Sequence, residues 1–142
     1  MPASCIFCDI VDGRAPARTV AETDDAVAFL DANPLAPGHT LVVPREHHVT
    51  LDDVPADEAT GLYSLLHRVV PAVEDAVDAD ATTVAFNNGR AAGQEVDHVH
   101  GHVVPRFADD GSGPIHGLFR DRPRLDDDEM DDVAGRIAAR MG

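Results

Sequence analysis

Lysine is missing from this sequence: all 11 basic residues are arginine, against 26 Asp and Glu, for a formal charge of −15. A surface this acidic repels nucleic-acid backbones and anionic lipid, which excludes DNA, RNA and membrane-surface binding as working hypotheses. Abundant Asp with no Lys reads as a solvated, halophilic surface suited to a salty cytoplasm, where screening weakens self-repulsion. Tryptophan is also absent, and only one Tyr and five Phe occur. The core must therefore come from Val, Leu, Ile and Ala. No apolar run approaches the roughly 18 residues a membrane-spanning helix needs. The amino end, MPASCIFCDIVDG, has no basic stretch followed by an apolar one, so it is not read as a signal peptide and a cytoplasmic location is expected. Cysteine occurs twice, Cys5 and Cys8, as CIFC. In a cytosolic chain that spacing points to metal or redox chemistry rather than to a disulfide.

What is present reads as one domain over residues 1–142: a core at 5–107, a loop at 108–124 and a carboxyl-terminal helix at 125–142. ARTVAET and DAVAFLDANP read as short strands with a turn near Asp24 and Asp25, and HTLVVPR as a third strand bounded by Pro37, Gly38 and Pro44. The stretch from Thr50 to Ala79 turns helical, with Leu62, Leu65, Leu66, Val69, Val70, Val73 and Val77 at the 3–4 spacing of one buried face. Asp57 and Glu58 suit the positive amino end of that helix, and Pro71 should kink it. TTVAFNNG and DHVHGHVVPRF give two more strands. DDDEMDDVAGRIAARM closes the chain as an acid-started helix with Met130, Val133, Ile137 and Met141 expected to face inward. Strands with a single long helix between them argue an α+β domain with a mostly antiparallel sheet.

The most informative stretch is GQEVDHVHGHVVPRF, residues 93–107. His98, His100 and His102 alternate, so on a strand they share one face, about 7 Å apart from one to the next. Val99, Gly101 and Val103 take the opposite, core-facing side. Three buried neutral imidazoles each need a hydrogen-bond partner, so a purely structural role is expensive. Two functional readings remain. The triplet could hold a catalytic metal, as His-x-His strands do for zinc, although the nearest acids are Glu95 and Asp97, and Asp97 points the other way. Alternatively, a neutral imidazole could attack phosphorus and form a phosphoramidate-type intermediate that water then opens, with the flanking imidazoles donating to phosphate or leaving group.

HVHGHVV resembles the His-φ-His-φ-His-φ-φ signature (φ apolar) of the histidine-triad (HIT) family of nucleotide hydrolases and transferases, with Gly101 departing from the apolar preference. CIFCDIVDG, AVAFLDANPLAPGHTLVVPREH, NNGRAAGQEV and the trailing PR resemble the family's bacterial and archaeal branch. The likeness runs from Cys5 to Phe107 and is lost between Ala108 and Arg124. It implies a five-stranded antiparallel sheet with one long helix, a short amino-terminal helix and a carboxyl-terminal helix, paired into a homodimer with a continuous ten-stranded sheet. It implies that His100 is the nucleophile on the α-phosphorus, that His102 contacts phosphate or leaving group, and that His39 is the fourth histidine beside them. Asp31 would hold the ribose hydroxyls, and Ile6, Phe7, Ile10 and Phe29 would line the base pocket. Asn87 and Gln94 would surround the phosphate, with Gly89 and Gly93 letting backbone amides approach it. Cys5, Cys8, His47 and His98 would hold a structural zinc, His48 being the rival to His47.

The resulting expectation is a nucleotide hydrolase or nucleotidyl transferase acting on nucleoside 5′-phosphoramidates, adenylylated amines or dinucleoside polyphosphates through a nucleotidyl-histidine. His116 and Arg120 are the groups of the 108–124 loop most able to meet a polyphosphate. A nucleotide-binding regulator without turnover and a metal-dependent hydrolase using the triplet as ligands are the alternatives.

Overall fold

A computed structural model describes residues 4–142, which contain α1 (Ile6–Val11), β1 (Thr19–Glu22), β2 (Ala26–Leu30), β3 (Thr40–Pro44), α2 (Ala56–Val77), β4 (Ala81–Phe86), β5 (Gly101–Arg106) and α3 (Asp127–Met141). The five strands form one antiparallel sheet in the order β1-β2-β3-β5-β4. The α+β class and the sheet expected from the sequence are the ones found. Contacts divide the chain into two compact units, one ending at Gly111 and one spanning Ser112–Gly142.

In the first unit the sheet is covered on both faces, and strand alternation decides what lies where. Ala26, Ala28 and Val42 project to the side of α2, where they join Leu62, Leu65, Leu66, Val69 and Val73. Val27, Phe29, Leu41 and Val43 project to the other side, where they meet Cys5, Phe7 and Cys8 of the amino-terminal segment. The central strands β2 and β3 are thus buried on both faces, which explains why AVAFL and TLVVP read as unbroken apolar runs. Leu62 and Leu65 are fully buried, each contributing about 1.5–3 kcal/mol relative to exposure.

The long helix starts later than its sequence pattern suggests. Leu51–Asp53 form a separate 3-10 turn, and α2 begins after Pro55 with Asp57 and Glu58 in its first turn. Its buried face consists of the expected leucines, Val69 and Val73, whereas Val70 and Val77 are only partly covered. Pro71 lies inside the helix and does not end it.

In the second unit, residues 115–118 form a 3-10 turn and α3 is capped by Asp126, whose carboxylate accepts from Glu129 N–H while Glu129 reaches back. The inward-facing assignment of its apolar stripe is overturned: Met130, Val133, Ile137 and Met141 are exposed, Met141 by 82%. Spacing of 3–4 marks a stripe on a helix. It does not say that something in the same chain covers it.

Candidate active site

Strand register brings the site together. The odd positions of β2 and β3 share the face away from α2, and that face continues past the strand ends to Asp31 and back to His39. These two come opposite each other, with Asp31 N–H donating to His39 O at 2.9 Å. In β5, His102 pairs with Leu41 on one side and Ala85 on the other. Phe86 pairs with Gly101, so Asn87, next along, comes level with His100. The regular strand begins only at Gly101, so His98 and His100 lie just ahead of it rather than within it. Alternation still holds: Val99 and Val103 are buried on the α2 side. Gly101 also lies on that side, where an added Cβ would come within 2.6 Å of the Phe86 ring. The departure from an apolar residue in HVHGHVV thus has a local cause: the Phe86 ring occupies the space.

A cavity of about 480 Å³ opens on this face. Its lining includes Ile6, Phe7, Ile10, Phe29, Asp31, Asn87, His100 and His102. Phe7 and Phe29 meet edge to face at 5.5 Å, and Phe7 also packs on the His100 ring at 5.1 Å. Phe29 is therefore both core and cavity wall. Two charged residues also line it: Glu95, named above as an acid near the triplet, and Arg18, which had no signal in the sequence. Arg18 reaches the cavity because its carbonyl accepts from Leu30 N–H beyond the end of β1, a register that composition does not reveal.

The three alternating histidines have three different surroundings, and their hydrogen bonds fix which ring nitrogen carries the proton. His98 is fully buried, and its Nε2–H donates to Pro44 O at 2.9 Å. Its Nδ1 is left with a lone pair, 3.4 Å from Cys5 Sγ and 3.6 Å from Cys8 Sγ. Burial pushes its pKa down to about 4, so it is neutral at pH 7. The Nδ1–H of His100 donates to His98 O at 2.8 Å, so in the neutral ring the lone pair lies on Nε2, on the far edge. His39 accepts at Nδ1 from Leu35 N–H at 3.1 Å, so its proton is on Nε2, which donates to His102 Nδ1 at 2.9 Å. His102 then carries its own proton on Nε2. Burial lowers the pKa of both His39 and His102, the latter to about 4, with the His100 and His39 rings adding to the effect at His102 and Asp31 opposing it at both. Both stay neutral at pH 7. Asp31, which lines the cavity, lies 3.6 Å from His39 Nε2 and accepts from Asn33 N–H at 2.9 Å. It therefore caps a turn with one oxygen.

Two assignments around the phosphate position change. Gln94 is 5% exposed and does not line the cavity. Its carboxamide is bonded to backbone: Oε1 accepts from Gly89 N–H, and Nε2 donates to Val49 O and Val96 O. The amides of Gly89 and Gly93 are also committed, to Gln94 Oε1 and to Arg90 O. Both glycines have φ of +98°, which explains the residue type without any approach of phosphate to their N–H groups. Of Asn87, Gly89, Gly93 and Gln94, Asn87 and Gly93 line the cavity.

Beside the cavity, the donor atoms of Cys5, Cys8, His47 and His98 all lie within 4.8 Å of one another. Cys8 Sγ is 3.3 Å from His47 Nδ1. The competing His48 instead bonds Glu58 Oε1 through Nε2 at 2.9 Å. Burial and then the adjacent Cys5 push the Cys8 thiol up to about 11, so Cys8 ionises against a cation and not on its own. Two sulfurs and two imidazole nitrogens, one ring braced by a backbone carbonyl, suit a closed tetrahedral metal site. The triplet does not converge on one metal. His98 belongs to this cluster, and His102 to a separate group with Asp31 and His39.

The family description HIT domain matches residues 12–109. This chain belongs to the HIT family. It is 44% identical over 107 residues to an uncharacterized HIT-like protein of Methanocaldococcus jannaschii, covering 75% of this chain and 82% of the relative. It is 39% identical over 117 residues to an adenosine 5′-monophosphoramidase of Saccharomyces cerevisiae, covering 82% and 71%. A Zn-bound histidine triad family protein from Mycobacterium smegmatis superposes with a TM-score of 0.73 at 39% identity, covering 85% and 84%. No helix among the described residues is long and apolar enough to cross a membrane.

Proposed function

We propose that this HIT-family protein is a nucleotide hydrolase or nucleotidyl transferase that works through a covalent nucleotidyl-histidine at His100. The observation that carries this is the His100 tautomer. A backbone carbonyl holds its Nδ1–H, so that in the neutral ring the lone pair is on Nε2, and the ring lines the cavity. The base of a purine nucleotide would lie between Ile6, Phe7, Ile10 and Phe29, and the ribose hydroxyls would donate to Asp31. The α-phosphorus would meet His100. As Nε2 bonds to phosphorus, positive charge develops on the imidazole and His98 O accepts a stronger hydrogen bond. The bond from phosphorus to the leaving nitrogen or oxygen breaks, and His102 Nε2–H donates to the phosphoryl or leaving-group oxygen or nitrogen. Water then releases the nucleotide, so a phosphoramidate plus water gives the nucleoside monophosphate and an amine. The relative named an adenosine 5′-monophosphoramidase supports the phosphoramidate class.

Cys5, Cys8, His47 and His98 would hold zinc. Zinc there would keep both thiols ionised and tie the amino-terminal segment to the sheet. The metal-dependent alternative, with the triplet as ligands, is disfavoured because His98 Nδ1 faces Cys5 and Cys8 while His102 groups with Asp31 and His39. Homodimer formation is part of the same reading. It is supported by β4 being an edge strand with Val84 exposed.

The test is AMP release from adenosine phosphoramidate at high potassium chloride, with a strong chelator added just before the assay. Native turnover that persists, and disappears in His100→Ala, supports histidine nucleophilic catalysis. Immediate loss with chelator, restored by added metal, would favour the metal-ligand mechanism.

A further inference from the structure

The Gln94 carboxamide joins three stretches of backbone that carry different parts of the site. Its Oε1 accepts from Gly89 N–H at 2.8 Å, while Gln94 N–H donates to Gly89 O at 3.1 Å, closing the 89–94 loop on itself from both ends. Its Nε2 donates to Val49 O at 2.6 Å and to Val96 O at 2.9 Å. The first stretch continues back to Asn87, on the cavity wall. The second follows β3 and contains His47 and His48, and His48 O accepts from Val99 N–H at 2.8 Å. The third runs from Val96 directly into His98 and His100. Both N–H groups donate and the oxygen accepts, all to backbone, in a side chain 5% exposed that does not line the cavity.

A buried amide with every group satisfied is rigid, because breaking any bond leaves an unpaired polar group away from water. We infer that Gln94 is a positioning residue: it sets the distance between the Asn87 amide and the His100 ring, and so the placement of the α-phosphate for attack. This rests on the nucleotidyl-histidine reading. A displacement of about 1 Å between a nucleophile and its target can cost about 10²-fold in rate. The groups assigned to base and ribose, Phe29 and Asp31, lie on β2 and just after it, away from the three stretches that Gln94 joins. Their contacts should survive its loss.

The experiment compares the native protein with Gln94→Met, Asn87→Ala and the double variant. For each, kcat and KM for adenosine phosphoramidate and the Kd of AMP are measured well below the melting transition. The expected result for Gln94→Met is a fall in kcat of about 10²-fold with AMP affinity changed less than about threefold. The double variant should lose little beyond the larger single loss, since Gln94 acts in part through Asn87. A kcat within twofold of native in folded Gln94→Met would overturn the inference, as would fully multiplicative losses in the double variant. Should Gln94→Met not fold, Gln94→Glu retains the size and one acceptor but places oxygen against Val49 O and Val96 O; it must show the same split between kcat and Kd. If the native protein turns over no phosphoramidate, that failure belongs to the proposed activity. Gln94 is then judged by NMR of the AMP complex. The shift of the Asn87 side-chain amide on AMP binding, expected in native protein, should be lost in the variant; its retention would overturn the inference.

Discussion

His98 and His100 are two residues apart, of the same type, on the same side of the chain, yet they belong to different chemistries. His98 gives its Nε2–H to a carbonyl and turns Nδ1 toward two cysteines. His100 gives its Nδ1–H to a carbonyl, and its Nε2 has no hydrogen-bond partner among the described residues. The carbonyl that His100 uses is that of His98 itself, so the residue assigned to hold a metal also orients the residue assigned to react. The difference teaches that an imidazole's role is set by which nitrogen the backbone claims. Sequence spacing alone does not set it.

The sharpest break in this comparison is at the reactive member. His100→Ala should lower nucleotidyl turnover by about 10⁴-fold or more while the melting temperature stays near native, read by AMP release and thermal denaturation. The other member should behave in the opposite way. Cys8→Ser, which removes one donor beside His98, should destabilise the fold by about 3 kcal/mol or more, the contribution of a ligand present at some 100 times its Kd, and should abolish stoichiometric zinc in elemental analysis. Activity per folded molecule should fall far less than in His100→Ala. Gly101→Ala probes the residue between His100 and His102. Its Cβ would press on the Phe86 ring at 2.6 Å, and the expected cost is about 1–3 kcal/mol in denaturant unfolding.

The smallest effect is on pH dependence. The pKa of His102 falls from 6.5 to about 4 on folding, so the unfolded chain binds more protons between those values. Stability from this group is complete above pH 6.5 and is lost as pH falls toward 4. The ring is only partly buried, so the slope should be only a fraction of the ~1.4 kcal/mol per pH unit of a fully buried group. His102→Gln should make the acid-side fall in melting temperature shallower at constant chloride.

Much of this was legible in the sequence. The apolar runs AVAFL and HTLVV gave the central strands, and the motif likeness brought Cys5, Cys8 and His47 to His98 across some 90 residues, which spacing alone could not. What was hidden depends on side-chain direction. Gln94 lies in a loop, and whether its amide faces ligand or backbone is decided by three carbonyl and amide positions that no local pattern encodes. Arg18 reaches the cavity through strand register. The stripe on α3 was legible as a stripe, but its exposure was not.

The central claim is that the three imidazoles are held in defined tautomers. Long-range ¹H–¹⁵N correlation of histidine rings at pH 7 reads this directly and needs no substrate. The account predicts His98 and His102 protonated on Nε2 and His100 protonated on Nδ1. A His100 protonated on Nε2, or a His102 protonated on Nδ1, would contradict it, because the nucleophile would then have no lone pair to offer or the donor no proton to give.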